Sequence, residues 1–174
     1  MTTKETMNMQ TTAHELRLTR SEAEDLLYRQ AEYIDTRDFA SWIDLFTTDA
    51  TYWIPARPED TDPKTQLSFL YDDVPGMTAR CERLLDAGTG GQQPGTRCNH
   101  VISNVRVLPA DASGVVVVRS RFQVTQFRRD AARSYVGSYT HHLVSTDEGI
   151  RIRSQRVDLI DCDGIHDAIL QVYL

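Results

Sequence analysis

The chain has 174 residues, 40% of them hydrophobic and 25% charged, with a formal net charge of −6. That length suits one domain able to bury a core without staples, and the acidic balance argues against a nucleic-acid partner. Cys81, Cys98 and Cys162 are widely spaced and form no Cys-x-x-Cys pair, which fits a reducing cytoplasm rather than a secreted disulfide scaffold.

The first twenty residues are polar and Thr-rich, with no apolar segment of the kind a secretory leader needs. No apolar run reaches the length of a membrane span. Residues 1–16 read as a flexible tail and 17–174 as a single domain. Thr19-Arg20-Ser21-Glu22 is a capping box, and Ala23, Leu26, Leu27, Ala31 and Ile34 recur at helical spacing behind it. This predicts a helix from Ser21 to Thr36. A second short helix carries Phe39, Trp42, Ile43 and Phe46.

Thr51 to Pro55 is a short strand, ended by a proline that removes a ladder donor. Arg57 to Thr65 is a Pro/Asp loop. Asp73-Val74-Pro75 opens a third helix, with Pro75 at a tolerated position and Gly88 expected to stop it. The second half alternates as strands: Thr96 to Leu108, Gly114 to Arg128, Arg133 to Thr146, Ile150 to Asp161 and Ala168 to Leu174. Short turns at Arg129-Asp130 and Thr146-Asp147-Glu148-Gly149 imply an antiparallel meander. Helices first and a curved antiparallel sheet after them make an α+β plan, with the sheet wrapped around the helices.

Several residue sets could carry chemistry. The histidines are His14, His100, His141, His142 and His166. A Rieske cluster requires two Cys-x-His-type pairs at fixed separation, and no such set of two is present. A mononuclear iron needs two histidines and a carboxylate on one side of the metal, but His141 and His142 are strand neighbours and face opposite ways. Asp163-x-x-His166 offers two ligands without a third. Acid–base chemistry is the rival: Tyr33 and Asp35 end the first helix, His100 lies on a strand, and His141 or His142 faces the concave side. The plainer alternative makes Asp35 a cap for the next helix or a partner of Arg37, and Tyr33 core filler. Gly88-Thr89-Gly90-Gly91 follows a helix and opens none, so it is no phosphate cradle. Tyr71-Asp72-Asp73 reads as a structural node at a helix N-terminus. Arg119, Arg121, Arg128, Arg151, Arg153 and Arg156 are expected on one sheet face, as a solvated surface or an interface.

Tyr52-Trp53-Ile54-Pro55 and Tyr71-Asp72-Asp73 carry a resemblance. They stand in order with the segment from Asp35 to Asp49-Ala50, with Ser103-Asn104-Val105, with Phe122 to Arg128, with Tyr135-Val136-Gly137 and with Ile150 to Leu159. Over about Ser21 to Leu174 the chain resembles the beta (small) subunit of the aromatic ring-hydroxylating dioxygenases. The resemblance implies a cystatin-like cone of the nuclear transport factor-like (SnoaL-like) type. It implies a structural subunit of an oxidoreductase of aromatic catabolism, with no catalytic, cofactor-binding or metal residue in this chain. The partner alpha subunit would carry a Rieske [2Fe-2S] cluster and mononuclear Fe(II), fed with NADH-derived electrons by a reductase. The assembly would be an α3β3 hexamer with the beta chains self-associating as a trimer, acting on an aromatic acid of benzoate or terephthalate type or a related arene. The alternative is a stand-alone cone-fold isomerase, dehydratase or cyclase using Asp35, His100 and His141 or His142.

Overall fold

A computed structural model describes residues 18–86, 88, 93–166, 170 and 172–174. The expected N-terminal tail lies outside the described residues, as does most of the Gly88 to Gly95 loop.

Helix α1 (Arg20–Thr36) starts at the expected capping box, with both reciprocal bonds between Thr19 and Glu22 formed. It stops where Arg37 enters the left-handed region at φ 63°. Asp38 then caps α2 (Phe39–Ile43) by accepting from the Ser41 N–H. The second helix is shorter than its apolar spacing predicts, because Phe46 already belongs to strand β1 (Phe46–Pro55). That strand begins five residues before the expected Thr51, since Phe46 pairs with Ile152 across a register shift.

Strand β2 (Ser68–Asp73) was not foreseen. It is an edge strand in which Leu70 alone is fully buried, so it carries a weak alternation signal. Asp73 ends it and caps α3 (Val74–Leu85), its carboxylate accepting from the Gly76 N–H at 2.9 Å. Gly88 does not stop this helix. Asp86 does, in an extended conformation, with its N–H bonded to the Glu82 carbonyl.

Strands β3 (Arg97–Val107), β4 (Val116–Arg128), β5 (Ala131–Thr146) and β6 (Gly149–Leu159) form the expected meander. The β4–β5 turn is two residues long, and Arg129 and Asp130 both have positive φ, as a tight primed hairpin turn requires. The six strands run in the order β2-β1-β6-β5-β4-β3. The β1–β6 pairing is parallel, so the sheet is mixed rather than wholly antiparallel. The described residues of the expected last strand, 170 and 172–174, lie in no strand. Tyr173 and Leu174 instead enter the core, where the Tyr52 hydroxyl donates to the Leu174 carbonyl and accepts its N–H.

The core lies between the helices and the concave face of the sheet. Leu26, Leu27 and Ile34 of α1 and Trp42 of α2 face Tyr52, Ile54, Phe122, Val124, Leu143, Ile152 and Val157. Trp42, Tyr52 and Tyr173 pack as an aromatic triad with centroids 4.4 to 6.0 Å apart, at the short end of the range such pairs favour. Gly137 marks the closest approach within the sheet. A Cβ there would lie 2.1 Å from the Asp158 carbonyl oxygen and 2.9 Å from the Phe122 ring.

Candidate functional site

Two faces of the sheet carry the polar residues of interest, and the period of two in each strand separates them. On the concave face, Asp35 and His100 meet. The Asp35 carboxylate accepts from the His100 backbone N–H at 2.9 Å and lies 2.6 Å from the ring Nδ1. The His100 side chain is 1% exposed. Asp35 neither caps α2 nor pairs with Arg37, whose guanidinium donates to the Leu84 carbonyl instead. Tyr33 is partly buried filler against the core, as its plainer reading has it.

The carboxylate on Nδ1 orients the imidazole as it would a general base, leaving Nε2 pointing onward. Tyr139 lies in the same interior. Its ring stacks on Phe122 at 4.2 Å, and burial, with Tyr52 and Asp35 nearby, pushes its phenol well above the ordinary value. Tyr139 therefore stays a neutral donor.

His141 also faces inward and is fully buried, while His142 faces outward beside Ser154. The expected opposition of the two is what the register shows. His141 does not join the Asp35–His100 pair. Its Nε2 meets the Gln30 side-chain Oε1 at 3.0 Å, and the Gln30 side-chain amide donates to Gln155 Oε1. Burial holds this imidazole neutral, pushing its pKa down to about 3. Of the acid–base set read from the sequence, the fold pairs Asp35 with His100, gives His141 a separate partner in Gln30 and turns His142 outward to Ser154.

Cys98-Asn99-His100 is a single Cys-x-His pair that a search for two such pairs passes over. Cys98 sits on the concave side near Asp35, and burial pushes its thiol up to about 12. His166 bonds the Asp161 carbonyl at 2.9 Å and lines a shallow surface cavity of about 410 Å³ with Arg133, Tyr135 and Asp161. Among the described residues, no three His, Cys, Asp or Glu side chains are grouped to hold a metal ion. Nor is any helix among them long and apolar enough to cross a membrane.

Tyr71-Asp72-Asp73 divides its work. Asp73 caps α3, and Asp72 accepts from Arg80 Nε at 2.9 Å and from the Tyr173 hydroxyl at 2.7 Å. Tyr71 is left 38% exposed.

On the outer face the expected arginine set is partly dispersed. Arg128 falls on the buried alternation and donates to the Pro94 carbonyl. Arg151 pairs with Glu148, and Arg153 lies at the β5–β6 register shift, 3.9 Å from Asp49. What remains is a cross-strand row. Arg106, Arg119, Thr140, Arg156 and Trp53 are successive partners across five strands, with Arg121 one step along. Arg156 stacks on Trp53 at 4.5 Å and bonds the Asp60 carbonyl, so it is committed internally. Arg119 and Arg121 are exposed, beside exposed Val101 and Val136. Arg106 was missed in the sequence because the shift between Ser103 and Arg106 moves it onto this face.

Comparison with known proteins fits this geometry. A family model described as "Ring hydroxylating beta subunit" matches residues 29–163. The small oxygenase component of the p-cumate 2,3-dioxygenase system of Pseudomonas putida is 34% identical over 141 residues, covering 80% of this chain and 78% of that protein. The beta subunit of benzoate 1,2-dioxygenase from Burkholderia mallei superposes with a TM-score of 0.69 at 23% identity, over 89% of this chain and 99% of that one. An NTF2-like protein with a cystatin-like fold from Novosphingobium aromaticivorans superposes at 0.59, with 16% identity and 82% coverage of each chain. These last two show the curved-sheet fold. The family match over most of the chain shows the rest: this protein is a beta subunit of the aromatic ring-hydroxylating dioxygenases.

Proposed function

We propose that the chain is the non-catalytic, structural subunit of a terminal oxygenase that dihydroxylates an aromatic acid. The family match over residues 29–163 carries this reading. The named relatives act in p-cumate and benzoate oxygenation, both arene carboxylates, which supports the substrate class. In this reading the iron centres, a Rieske cluster and a mononuclear site, belong to the alpha partner, and a reductase supplies the electrons from NADH. The assembly is an α3β3 hexamer in the cytoplasm. Residues 17–174 act as one cone domain. The outer sheet face, where Arg119 and Arg121 stand exposed beside Val101 and Val136, is the surface assigned to a partner chain.

Co-expression with an iron-bearing alpha chain, followed by light scattering and iron analysis, tests this. The expected outcome is one complex of equal subunit numbers, with iron and turnover only when both chains are present. Arg119→Glu with Arg121→Glu should weaken assembly while leaving the folded chain intact. Turnover by the purified chain alone would overturn the non-catalytic assignment.

A further inference from the structure

Counting by twos along β3, the outward residues are Asn99, Val101 and Ser103, all exposed. Val105 should come next, yet it is buried and Arg106 is exposed in its place. The switch falls at Asn104, which has φ 55°, where the register slips between Ser103 and Arg106. A bulge of this kind re-aims the side chains that follow it. Here it sets Arg106 directly opposite Arg119 of β4. Like charges so placed repel, with Cβ atoms about 5 Å apart. Arg121 adds a third guanidinium two positions along β4, about 7 Å away.

These arginines stand in two cross-strand rows. Arg106, Arg119 and Thr140 are successive partners in one, and Ser103, Arg121 and Ser138 in the next. All six side chains donate hydrogen bonds, and none is a carboxylate. Asp158 pairs with Ser138 at the end of the second row, but Arg156 holds it at 2.7 Å. Elsewhere the arginines are matched. Arg80, Arg151, Arg153 and Arg156 each have a carboxylate 2.7 to 3.9 Å away. Among the described residues, Arg106, Arg119 and Arg121 have none, in a chain whose 25 acidic residues outnumber its 19 Lys and Arg.

An approaching anion turns this repulsion into attraction. A guanidinium forks two bonds onto one carboxylate, so three of them favour an acidic surface over a neutral one. Val101 and Val136, exposed in the adjoining row on either side of Gln123, supply apolar contact beside the charges. A second copy of this chain fits less well. A twofold contact across the patch would set arginine against arginine, and the copy carries the same net charge of −6.

We propose that the patch of Arg106, Arg119 and Arg121 seats an acidic segment of the alpha subunit. That segment presents two or more carboxylates about 5–7 Å apart, as one helical turn or alternate strand positions do. The inference rests on the assembly reading above and adds to it the chemistry of the partner's surface.

The test uses the alpha–beta complex, diluted through its dissociation range, with the assembled fraction read by sedimentation velocity. Between about 0.05 and about 0.5 M NaCl the native Kd should rise about tenfold or more. Arg106→Gln with Arg119→Gln should raise Kd about tenfold at the lower salt and remove most of the salt dependence. Arg20→Gln, on α1 and paired with Glu24, should change neither. A native Kd that ignores salt overturns the proposal without any variant, so the folding of the double variant does not decide the matter. A double variant with the native Kd overturns it too. In both cases the complex still forms and the assembly reading stands, whereas a complex that never forms overturns both. If the double variant spares the complex and abolishes self-association of the isolated beta chain, the occupant is a second copy and the proposal fails.

Discussion

Replacing Asp35 tests whether the Asp35–His100 pair holds α1 against β3. The carboxylate makes two bonds to one residue, 2.9 Å to the backbone N–H and 2.6 Å to the ring, and spans 65 positions of sequence. Asp35→Ala leaves the His100 N–H and a ring that is 1% exposed without their partner. Each buried group so orphaned costs about 1–3 kcal/mol. Asp35 itself is 21% exposed, so water reaches the vacated acceptor position and the loss falls in the lower half of that range. The expected destabilisation is about 2–4 kcal/mol, or about 4–16 °C in Tm for a chain of this size. Asp35→Asn keeps an oxygen for the backbone N–H, and its amide can donate to Nδ1 once the imidazole changes tautomer. That variant should lose only about 1 kcal/mol. Urea and thermal unfolding of the full chain, at one fixed protein concentration, read both values. A loss below about 1 kcal/mol for Asp35→Ala, against the cost per orphaned group, would refute the reasoning. So would equal losses for Ala and Asn, since the argument turns on which acceptor remains.

Three other outcomes follow from the same coordinates. Gly137→Ala should destabilise by about 3 kcal/mol or more, because the new methyl meets a backbone carbonyl at 2.1 Å that the sheet holds in place; a Tm unchanged from the native chain would contradict this. Tyr173→Phe removes one bond to Asp72 and should cost about 1 kcal/mol, whereas Asp72→Ala, which strands both the tyrosine and Arg80, should cost clearly more; equal Tm shifts for the two would show that Asp72 is no shared node. His141, with a folded pKa near 3 against 6.5 unfolded, binds a proton in the unfolded chain first. Its stabilising contribution is therefore full above pH 6.5 and is lost as pH falls toward 3, at up to about 1.4 kcal/mol per unit. His141→Asn should flatten the stability profile between pH 6.5 and 5, and an unchanged slope there would count against the burial argument.

What could be read from the sequence was local. The Thr19–Glu22 box, the α1 stripe and the alternation of β4 and β5 are patterns within a few residues, and each recurs in the structure. What could not be read was set by partners far along the chain. Strand β1 lies parallel to β6, and no turn joins them to announce it. Phe46 fits the stripe of α2 by spacing, yet its pairing with Ile152 makes it a strand residue. Asp35 beside Arg37 and Asp38 looks like a local cap, and only the return of β3 gives it His100. Bulges did the same to the arginines. A register shift brings Arg106 onto the outer face and takes Arg153 out of line, so counting by twos misplaces both.

The same period of two keeps the assembly surface and the interior separable. Along β4 the outward positions include Arg119 and Arg121, and the inward ones Ser120, Phe122 and Val124. Across from them on β5, Ser138 and Thr140 face out, while Tyr139 and His141 face in. A chain selected only to hold a partner has no use for polar groups on the inward positions. Apolar side chains there would spare it about 1–3 kcal/mol for each orphaned atom. Substitutions one residue apart should then act on different observables. Arg121→Glu should impair assembly and leave the Tm of the isolated chain unchanged, and Tyr139→Phe should move the Tm and leave assembly intact. A variant on one face that moved both readouts would show that the sheet couples them, and the two roles would have to be treated as one.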